Sequence, residues 1–289
     1  MKIDSILFSC SAPFVPFWNI QAKIWKTKFG IEPICLFFGD KKSSSIDETY
    51  GKVYEIQPFS DLPPVLQITC AKFLACDLVK ELDSSKTYLI GDVDTLPLQT
   101  EYFTKEIENI PDSDYLHLRA YDEFLETGSK ADNLTKGGDL PGYYHVAKGS
   151  TFLNLFLKGS FRETVRYIAE SNLYGIRVKV LNENIQGMGD IHDYYWCAEE
   201  TYTSQKIWKA AKASQIVFHG RDYLLDSKQR YIDRDSVRCS NDCRGWNGVD
   251  YIYDKDKLSN GRYIDIHCMR PYALQFKAMM RILETARMV

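Results

Sequence analysis

Short apolar runs alternate with amphipathic segments along the first hundred residues of the chain. The apolar runs have the length of buried β-strands and lie at residues 3–9, 34–38, 52–56 and 87–91. Between them, apolar side chains recur at helical spacing over residues 15–29 and 65–82, and Pro63-Pro64 marks the start of the second helix. This alternation predicts an α/β fold whose mostly parallel central sheet is flanked by helices on both faces.

The second half of the chain has a more mixed pattern. It contains two further predicted strands, at residues 115–119 and 143–147, and helical patterns at 161–168, 198–212 and 271–288. Polar segments rich in turn-forming residues separate them, at 126–142, 182–193 and 226–262. Long loops in compact domains often act as lids, so we expect the first and the last of these segments to border a site.

Composition and charge exclude several classes of function. The 289 residues carry a net charge of -3 and no dense stripe of Lys and Arg, which argues against a nucleic-acid partner. No apolar run is long enough for a signal peptide or a membrane span, so we expect a soluble, cytoplasmic protein. Several of the eight cysteines lie in apolar runs, as reduced core cysteines do. Cys239 and Cys243 form one close pair in a loop-like region, without a second pair to complete a zinc site.

Two acidic residues follow the last strand of the first half. If the strand continues, Asp92 and Asp94 point the same way and Val93 points the opposite way. Neighbouring carboxylates repel each other unless a cation or a proton separates them, and hard divalent cations prefer oxygen ligands. Ligands of open α/β sheets bind outside the carboxyl ends of the strands, where this pair lies. The pattern predicts a metal site, and the alternative is an ordinary turn after a strand.

A second candidate group lies near the end of the chain. His267 belongs to a partly apolar strand pattern, and a neutral imidazole suits Mn²⁺ as a third protein ligand beside the two aspartates. Arg270 would then be close enough to pair with a phosphate. The alternative for His267 is a hydrogen-bonded core histidine, and the alternative for Arg270 is a surface arginine that precedes a helix.

Residues 88–95, Tyr-Leu-Ile-Gly-Asp-Val-Asp-Thr, resemble the strand and metal motif of the GT-A class of glycosyltransferases. The resemblance implies a single domain with a Rossmann-like sheet, divided into a nucleotide-binding half at 1–97 and an acceptor-binding half at 98–289. It also implies that Asp92 and Asp94 hold Mn²⁺ or Mg²⁺ against the diphosphate of a nucleotide-sugar donor, with Val93 beside that donor. The order of elements resembles the compact glycosyltransferases of large algal viruses.

Residues 264–272 are similar to the late His motif of the glycogenin and lipopolysaccharide galactosyltransferase group. In that group a histidine on a strand completes the metal site, which implies the same role for His267. This chain departs from the group's pattern, because Arg270-Pro271-Tyr272 stands where the group has Lys-Pro-Trp.

An acidic pair opens the predicted helix at 198–212. Glu199 and Glu200 look like the acidic motif that supplies the base in inverting GT-A enzymes. The second acidic residue usually acts as the base, which implies that Glu200 takes the proton and Glu199 contacts the acceptor. Asp190 and Asp193 in the preceding loop are the reserve candidates. The alternative explanation is that acidic side chains stabilise a helix N-terminus through its dipole.

Further contacts follow from the resemblance. It implies that Ser9, Cys10 and Ser11 hold the nucleoside and that Asp40 meets the base or ribose. It implies that Lys72 touches phosphate or sugar, whereas the alternative is a lysine on a solvated helix face. The residues assigned to the donor sugar, the acceptor or the pyrophosphate are Gly137, Gly138, Asp139, His145, His219, Gly220 and Arg221. Trp196 and Trp246 would either stack on a sugar or lie buried in the core.

The sequence therefore predicts a metal-dependent glycosyltransferase that uses a nucleotide sugar, with UDP favoured, and a carbohydrate acceptor. Inversion is favoured over retention, and both stay open. A sugar nucleotidyltransferase is a rival, although it would usually carry a Gly-rich basic loop where residues 9–14 read Ser-Cys-Ser-Ala-Pro-Phe. A non-catalytic sugar-binding domain on the same fold is the other rival, and the intact Asp92, Asp94 and His267 argue against it.

Overall fold

A computed structural model describes residues 1–118, 140, 142–171, 198–220, 235–239, 251–261, 263–268 and 272–289 of the protein. Its strands are β1 (Ser5–Ser11), β2 (Glu32–Phe38), β3 (Lys52–Glu55), β4 (Thr87–Ile90), β5 (Thr95–Pro97), β6 (Tyr115–His117), β7 (His145–Lys148), β8 (Phe218–Gly220), β9 (Asp235–Cys239), β10 (Tyr251–Ile252) and β11 (Tyr263–His267). Its helices are α1 (Val15–Ile24), α2 (Pro64–Ala71), α3 (Ala75–Leu78), α4 (Thr100–Phe103), α5 (Gly149–Phe156), α6 (Phe161–Glu170), α7 (Ala198–Lys212), α8 (Lys255–Ser259) and α9 (Tyr272–Thr285).

Seven strands form the central sheet, in the order β3-β2-β1-β4-β7-β6-β8. All of them run parallel except β7, which is antiparallel to its neighbours β4 and β6. Parallel neighbours need a crossover segment, and α1 provides one between β1 and β2. The carboxyl ends of the six parallel strands therefore meet at one edge of the sheet. The predicted α/β fold with a mostly parallel central sheet is confirmed.

Both faces of this sheet are covered by apolar side chains. Along β1, Ile6 and Phe8 face a core that includes the buried side of α1, whereas Leu7 faces a core built with α2, α5, α6 and α7. A strand buried on both sides must be apolar throughout, which explains the continuous apolar runs of the sequence.

The predicted helices are confirmed with one exception. The helix expected over residues 65–82 is interrupted, because α2 ends at Ala71 and α3 begins only at Ala75. The helix expected over residues 15–29 is present, with α1 continued by a π-helical segment, Trp25–Phe29. At the end of the chain, α9 buries Met279 and Leu283 on the face that the sequence predicted.

A smaller sheet has the order β10-β9-β11-β5. Its strand β11 is antiparallel to β5 and parallel to β9. The described parts of the polar segment at 226–262 are β9, β10 and α8, so this segment contributes strands to the small sheet. Because β5 begins directly after Asp94, the small sheet brings β11 to the carboxyl end of β4.

Gly91 links β4 to the acidic pair, and it has no room for a side chain. A Cβ atom at this position would lie 2.5 Å from Cε1 of Phe8 and 3.0 Å from Cδ1 of Ile6. Its N–H donates to the carbonyl of Leu7 over 2.9 Å, which ties it to the neighbouring strand. The close packing of Gly91 on β1 therefore fixes where the chain leaves the central sheet.

Within the described part of the chain, no helix is both long enough and apolar enough to cross a membrane. The described cysteines that are free of disulfides are Cys10, Cys35, Cys70, Cys76 and Cys268.

Candidate functional site

A buried lysine contacts the first residue of the acidic pair. Lys72 lies directly after α2 and is 4% exposed, and its Nζ forms an ion pair with Oδ1 of Asp92. The alternative of a lysine on a solvated helix face is therefore wrong. Burial alone would lower the pKa of Lys72, but the charges of Asp92, Glu199 and Glu200 outweigh that effect and raise the pKa. The charge of Lys72 is thus felt both at the end of β4, through direct contact, and in the first turn of α7, through electrostatic attraction.

Glu199 and Glu200 both lie in the first turn of α7, as the sequence predicted. Oε1 of Glu200 accepts a hydrogen bond from the backbone N–H of Gly142 over 2.9 Å. A Cβ atom on Gly142 would lie 3.2 Å from Cγ of Glu200 and 3.4 Å from Oε1 of Glu199. A side chain at residue 142 would therefore crowd Cγ of Glu200, whereas its contact with Glu199 would be an ordinary one.

The two glutamates differ in their surroundings. Glu199 is buried, and its Oε2 has no hydrogen-bond partner among the described residues, whereas Glu200 is half-buried. Burial, together with the charge of Glu200, raises the pKa of Glu199 to about 8, against the opposing charge of Lys72. Glu199 is therefore protonated at neutral pH and can donate a hydrogen bond.

The second residue of the acidic pair lies beside His267. Strand pairing sets His267 opposite Thr95, and the N–H of Cys268 donates to the carbonyl of Asp94 over 2.8 Å. As a result, Nε2 of His267 lies 3.8 Å from Oδ1 of Asp94. A histidine more than 170 residues away in sequence is thereby brought to the acidic pair.

The backbone of the acidic pair differs from the prediction of a continuing strand. Residues 93–94 form a turn between β4 and β5, and the N–H of Thr95 donates to the carbonyl of Asp92 over 3.1 Å. Val93 is buried in the core, whereas the side chains of Asp92 and Asp94 are 31% and 18% exposed. The turn therefore directs the side chain of Val93 into the core and leaves those of Asp92 and Asp94 partly exposed, the same outcome as the predicted strand.

These side chains fit part of a divalent cation site. Asp94 and His267 offer a carboxylate oxygen and an imidazole nitrogen close enough to bind one ion, and Mn²⁺ accepts both donor types. The third predicted ligand, Asp92, is engaged by the ammonium of Lys72. Within the described ranges, no group of three or more His, Cys, Asp or Glu side chains forms a ready-made metal site.

A buried glutamine supports the turn that carries the acidic pair. Gln21 of α1 is fully buried, and its Nε2 donates to the carbonyls of Asp92 and Val93 over 3.3 Å each and of Thr95 over 2.6 Å. Its own Oε1 accepts from Nε1 of Trp25 over 2.9 Å. The sequence analysis missed this residue. The available signal was an amide side chain within the apolar face of α1.

The residues predicted to hold the nucleoside lie at the ends of their strands. Ser9, Cys10 and Ser11 close β1, with Cys10 buried and the two serines half-buried. Asp40 follows β2, and its Oδ1 accepts from the N–H of Lys42 over 2.9 Å, so its carboxylate caps a short 3-10 turn.

Two predicted histidines contact residues other than the acidic pair. His145 is fully buried, and its Nδ1 lies 2.8 Å from the hydroxyl of Tyr115. His219 lies in β8 beside Gly220, and its Nε2 contacts Oδ2 of Asp114 over 2.8 Å. Asp114 precedes β6, so this contact is made towards the amino end of that strand.

Several predicted positions lie outside the described residues. They are Gly137, Gly138, Asp139, Asp190, Asp193, Trp196, Arg221, Trp246 and Arg270. Cys243 is also outside them, and Cys239 is described only as part of the backbone of β9.

No protein-family model matches the chain, and no curated protein matches it. Among solved structures, the chain is similar to the bifunctional glycosyltransferase WbbM in its apo form, at 10% identity and a TM-score of 0.44, over 92% of this chain and 45% of WbbM. It is also similar to the glycosyltransferase GlyE of Streptococcus pneumoniae TIGR4, at 10% identity and a TM-score of 0.34, over 90% of this chain and 72% of GlyE. The chain thus spans less than half of the length of the WbbM chain.

We expect Gln21→Leu to lower the free energy of unfolding by about 1–3 kcal/mol, because three carbonyls lose a buried donor. Urea denaturation of the purified protein measures this loss. Lys23→Leu, an exposed position on the same helix, is the control and should stay close to the wild type. Equal stability of the two variants would mean that Gln21 does not support the turn.

We expect Glu199→Gln to change the pH dependence of stability. The raised pKa means that the folded protein holds a proton that the unfolded chain releases above about pH 4.5, so the wild type loses stability as the pH rises towards 8. The variant lacks this loss, so its stability relative to the wild type should increase by up to about 1.4 kcal/mol per pH unit over that window. Thermal unfolding at pH 5, 6.5 and 8 tests this, and parallel pH profiles of the two proteins would contradict it.

Proposed function

We propose that the protein is a metal-dependent glycosyltransferase that moves a sugar from a nucleotide-sugar donor, with UDP favoured, to a hydroxyl group of a carbohydrate acceptor. One observation carries the proposal. Asp94 and His267, which are suited to bind a cation, lie in the same region as Asp92, whose partner is Lys72. Lys72 in turn is close enough to Glu199 and Glu200 for their charges to raise its pKa. Transfer from a nucleotide sugar needs both functions, one for the departing diphosphate and one for the acceptor proton.

The leaving group explains the cationic part of the site. A departing nucleoside diphosphate gains negative charge on the oxygen that held the sugar, and a bound Mn²⁺ or Mg²⁺ would neutralise that charge. Asp94 and His267 are the residues that would hold the ion, with Asp92 as the third ligand. Lys72 adds a fixed positive charge beside Asp92, and Arg270 is proposed to pair with the phosphate.

The acid pair explains the second requirement. We assign Glu200 as the base: its carboxylate takes the hydroxyl proton while the acceptor oxygen bonds to the anomeric carbon and the bond from that carbon to the phosphate oxygen breaks. The backbone N–H of Gly142 holds one oxygen of this carboxylate, which supports a fixed orientation. Glu199, which is protonated at neutral pH, would donate a hydrogen bond to a substrate oxygen. Direct displacement of this kind inverts the anomeric centre.

Turnover with a panel of nucleotide sugars tests the proposal. In Mn²⁺ and a mixture of carbohydrate acceptors, the protein should release a nucleoside diphosphate, and chelation of the metal should stop the release. Asp94→Asn should abolish metal-dependent donor binding, whereas Asp256→Asn, an exposed aspartate in α8, should bind the donor as the wild type does. Release of pyrophosphate would indicate a nucleotidyltransferase instead, and binding without turnover would indicate a sugar-binding domain.

The assignment of the base is tested separately. Glu200→Gln keeps the oxygen that accepts from Gly142 but cannot take a proton, so turnover should fall by roughly 10²–10⁴ while donor affinity is kept. Stopped assays of diphosphate release and a donor-binding titration measure the two quantities. Full activity of this variant would remove Glu200 from the reaction.

A further inference from the structure

A buried hydroxyl of α7 binds a chain segment outside its own helix. Ser204 is fully buried, and its Oγ accepts a hydrogen bond from the backbone N–H of Leu140 over 2.8 Å. A serine inside a helix often bonds to a carbonyl of the preceding turn instead, and it is a weaker helix former than alanine. The contact with Leu140 therefore gives a physical reason for a serine at this position.

The segment that Ser204 holds also carries the donor to Glu200. Two residues after Leu140, the N–H of Gly142 donates to Oε1 of Glu200 over 2.9 Å. Glu200 and Ser204 are four residues apart on α7, so they lie on the same side of the helix. The side chain of Leu140 is buried in the core beside α7. The helix thus holds residues 140 and 142 at two neighbouring points.

The central sheet holds the other end of this segment. The N–H of Tyr144 donates to the carbonyl of Ile90 over 2.6 Å, and the carbonyl of Tyr144 accepts from the N–H of Leu118 over 3.0 Å. Gly142 therefore lies between an anchor on α7 and an anchor on the sheet. The anchor on α7 uses a side chain, that of Ser204, so a single substitution can remove it.

We propose that Ser204 is a positioning residue for Glu200: by holding Leu140, it keeps the N–H of Gly142 directed at the carboxylate of the proposed base. An N–H donor favours the charged form of a carboxylate, and a base needs that form. Oε2 of the neighbouring Glu199 has no such donor among the described residues. Ser204 thereby contributes to the choice of Glu200, rather than Glu199, as the group that takes the acceptor proton.

This inference rests on the proposed function, because it gives Glu200 the role of the base. The role of Ser204 is indirect, since it acts through the backbone of Leu140 and Gly142. A base must lie within hydrogen-bond reach of the proton it takes, and a displacement of about 1 Å can slow a reaction by roughly 10²-fold. Loss of the Ser204 hydroxyl should therefore lower kcat and leave the affinity for the donor unchanged.

The first test compares Ser204→Ala with the wild type, using the nucleotide sugar that gives the most turnover in the panel. We expect kcat to fall about 10–100-fold, while a binding titration with the same nucleotide sugar gives the wild-type affinity. Thr164→Val is the matched control, because Thr164 of α6 is also buried and its Oγ1 accepts from the N–H of Lys158 over 2.7 Å. This control should lose a similar amount of stability and keep the wild-type kcat.

A second readout does not depend on turnover. In ¹H–¹⁵N NMR, an amide proton that donates to a carboxylate resonates downfield. The Gly142 signal should move upfield in Ser204→Ala and should stay in place in Thr164→Val. Ser204→Cys, whose sulfur is a weak acceptor of similar size, serves in both tests if the alanine variant does not fold.

The outcomes separate this inference from the proposed function. If the wild type turns over and Glu200→Gln is impaired, but Ser204→Ala keeps the wild-type kcat, the proposed function stands and the inference is wrong. An unchanged Gly142 signal in Ser204→Ala, or equal losses of kcat in Ser204→Ala and Thr164→Val, would likewise overturn it. A wild type without turnover would overturn the proposed function, and the role of Ser204 with it.

Discussion

The ammonium of Lys72 is the interaction on which the candidate site depends. Three carboxylates, those of Asp92, Glu199 and Glu200, are close enough for their charges to raise the pKa of this one lysine. The positive charge of Lys72 offsets the repulsion between these carboxylates whenever they are ionised. Lys72 therefore makes it possible to keep the two glutamates and the proposed metal ligands in one region, although they come from distant parts of the chain.

Three contacts fix the backbone around this ion pair. The close packing of Gly91 on Phe8 fixes the exit from β4, and the amide of Gln21 binds the carbonyls of the turn that follows. The pairing of β5 with β11 then sets His267 beside Asp94. Each contact is ordinary alone, but together they determine which side chains can meet at the carboxyl edge of the sheet.

Local patterns in the sequence were enough to predict the strands and most of the candidate site residues. The apolar runs predicted the parallel strands, and the acidic pair, the late histidine and the two glutamates were all singled out as candidates. Gln21 and Gly142 could not be found in this way, because their roles consist of contacts with residues 71 and 58 positions away. The break after α2 was missed because the apolar periodicity continues through it, whereas the N–H groups of Phe73 and Leu74 donate to carbonyls three residues back, those of Cys70 and Ala71.

The free energy of unfolding of Lys72→Met tests the central claim most directly. Removing one partner of a buried charge pair costs about 3–5 kcal/mol, and the partial exposure of Asp92 favours the lower end of this range. We expect a loss of about 3 kcal/mol at pH 8 and a smaller loss at pH 5, where protonation neutralises Glu199. Lys80→Met, at an exposed position, should show neither effect. A Lys72→Met protein as stable as the wild type at pH 8 would contradict the account.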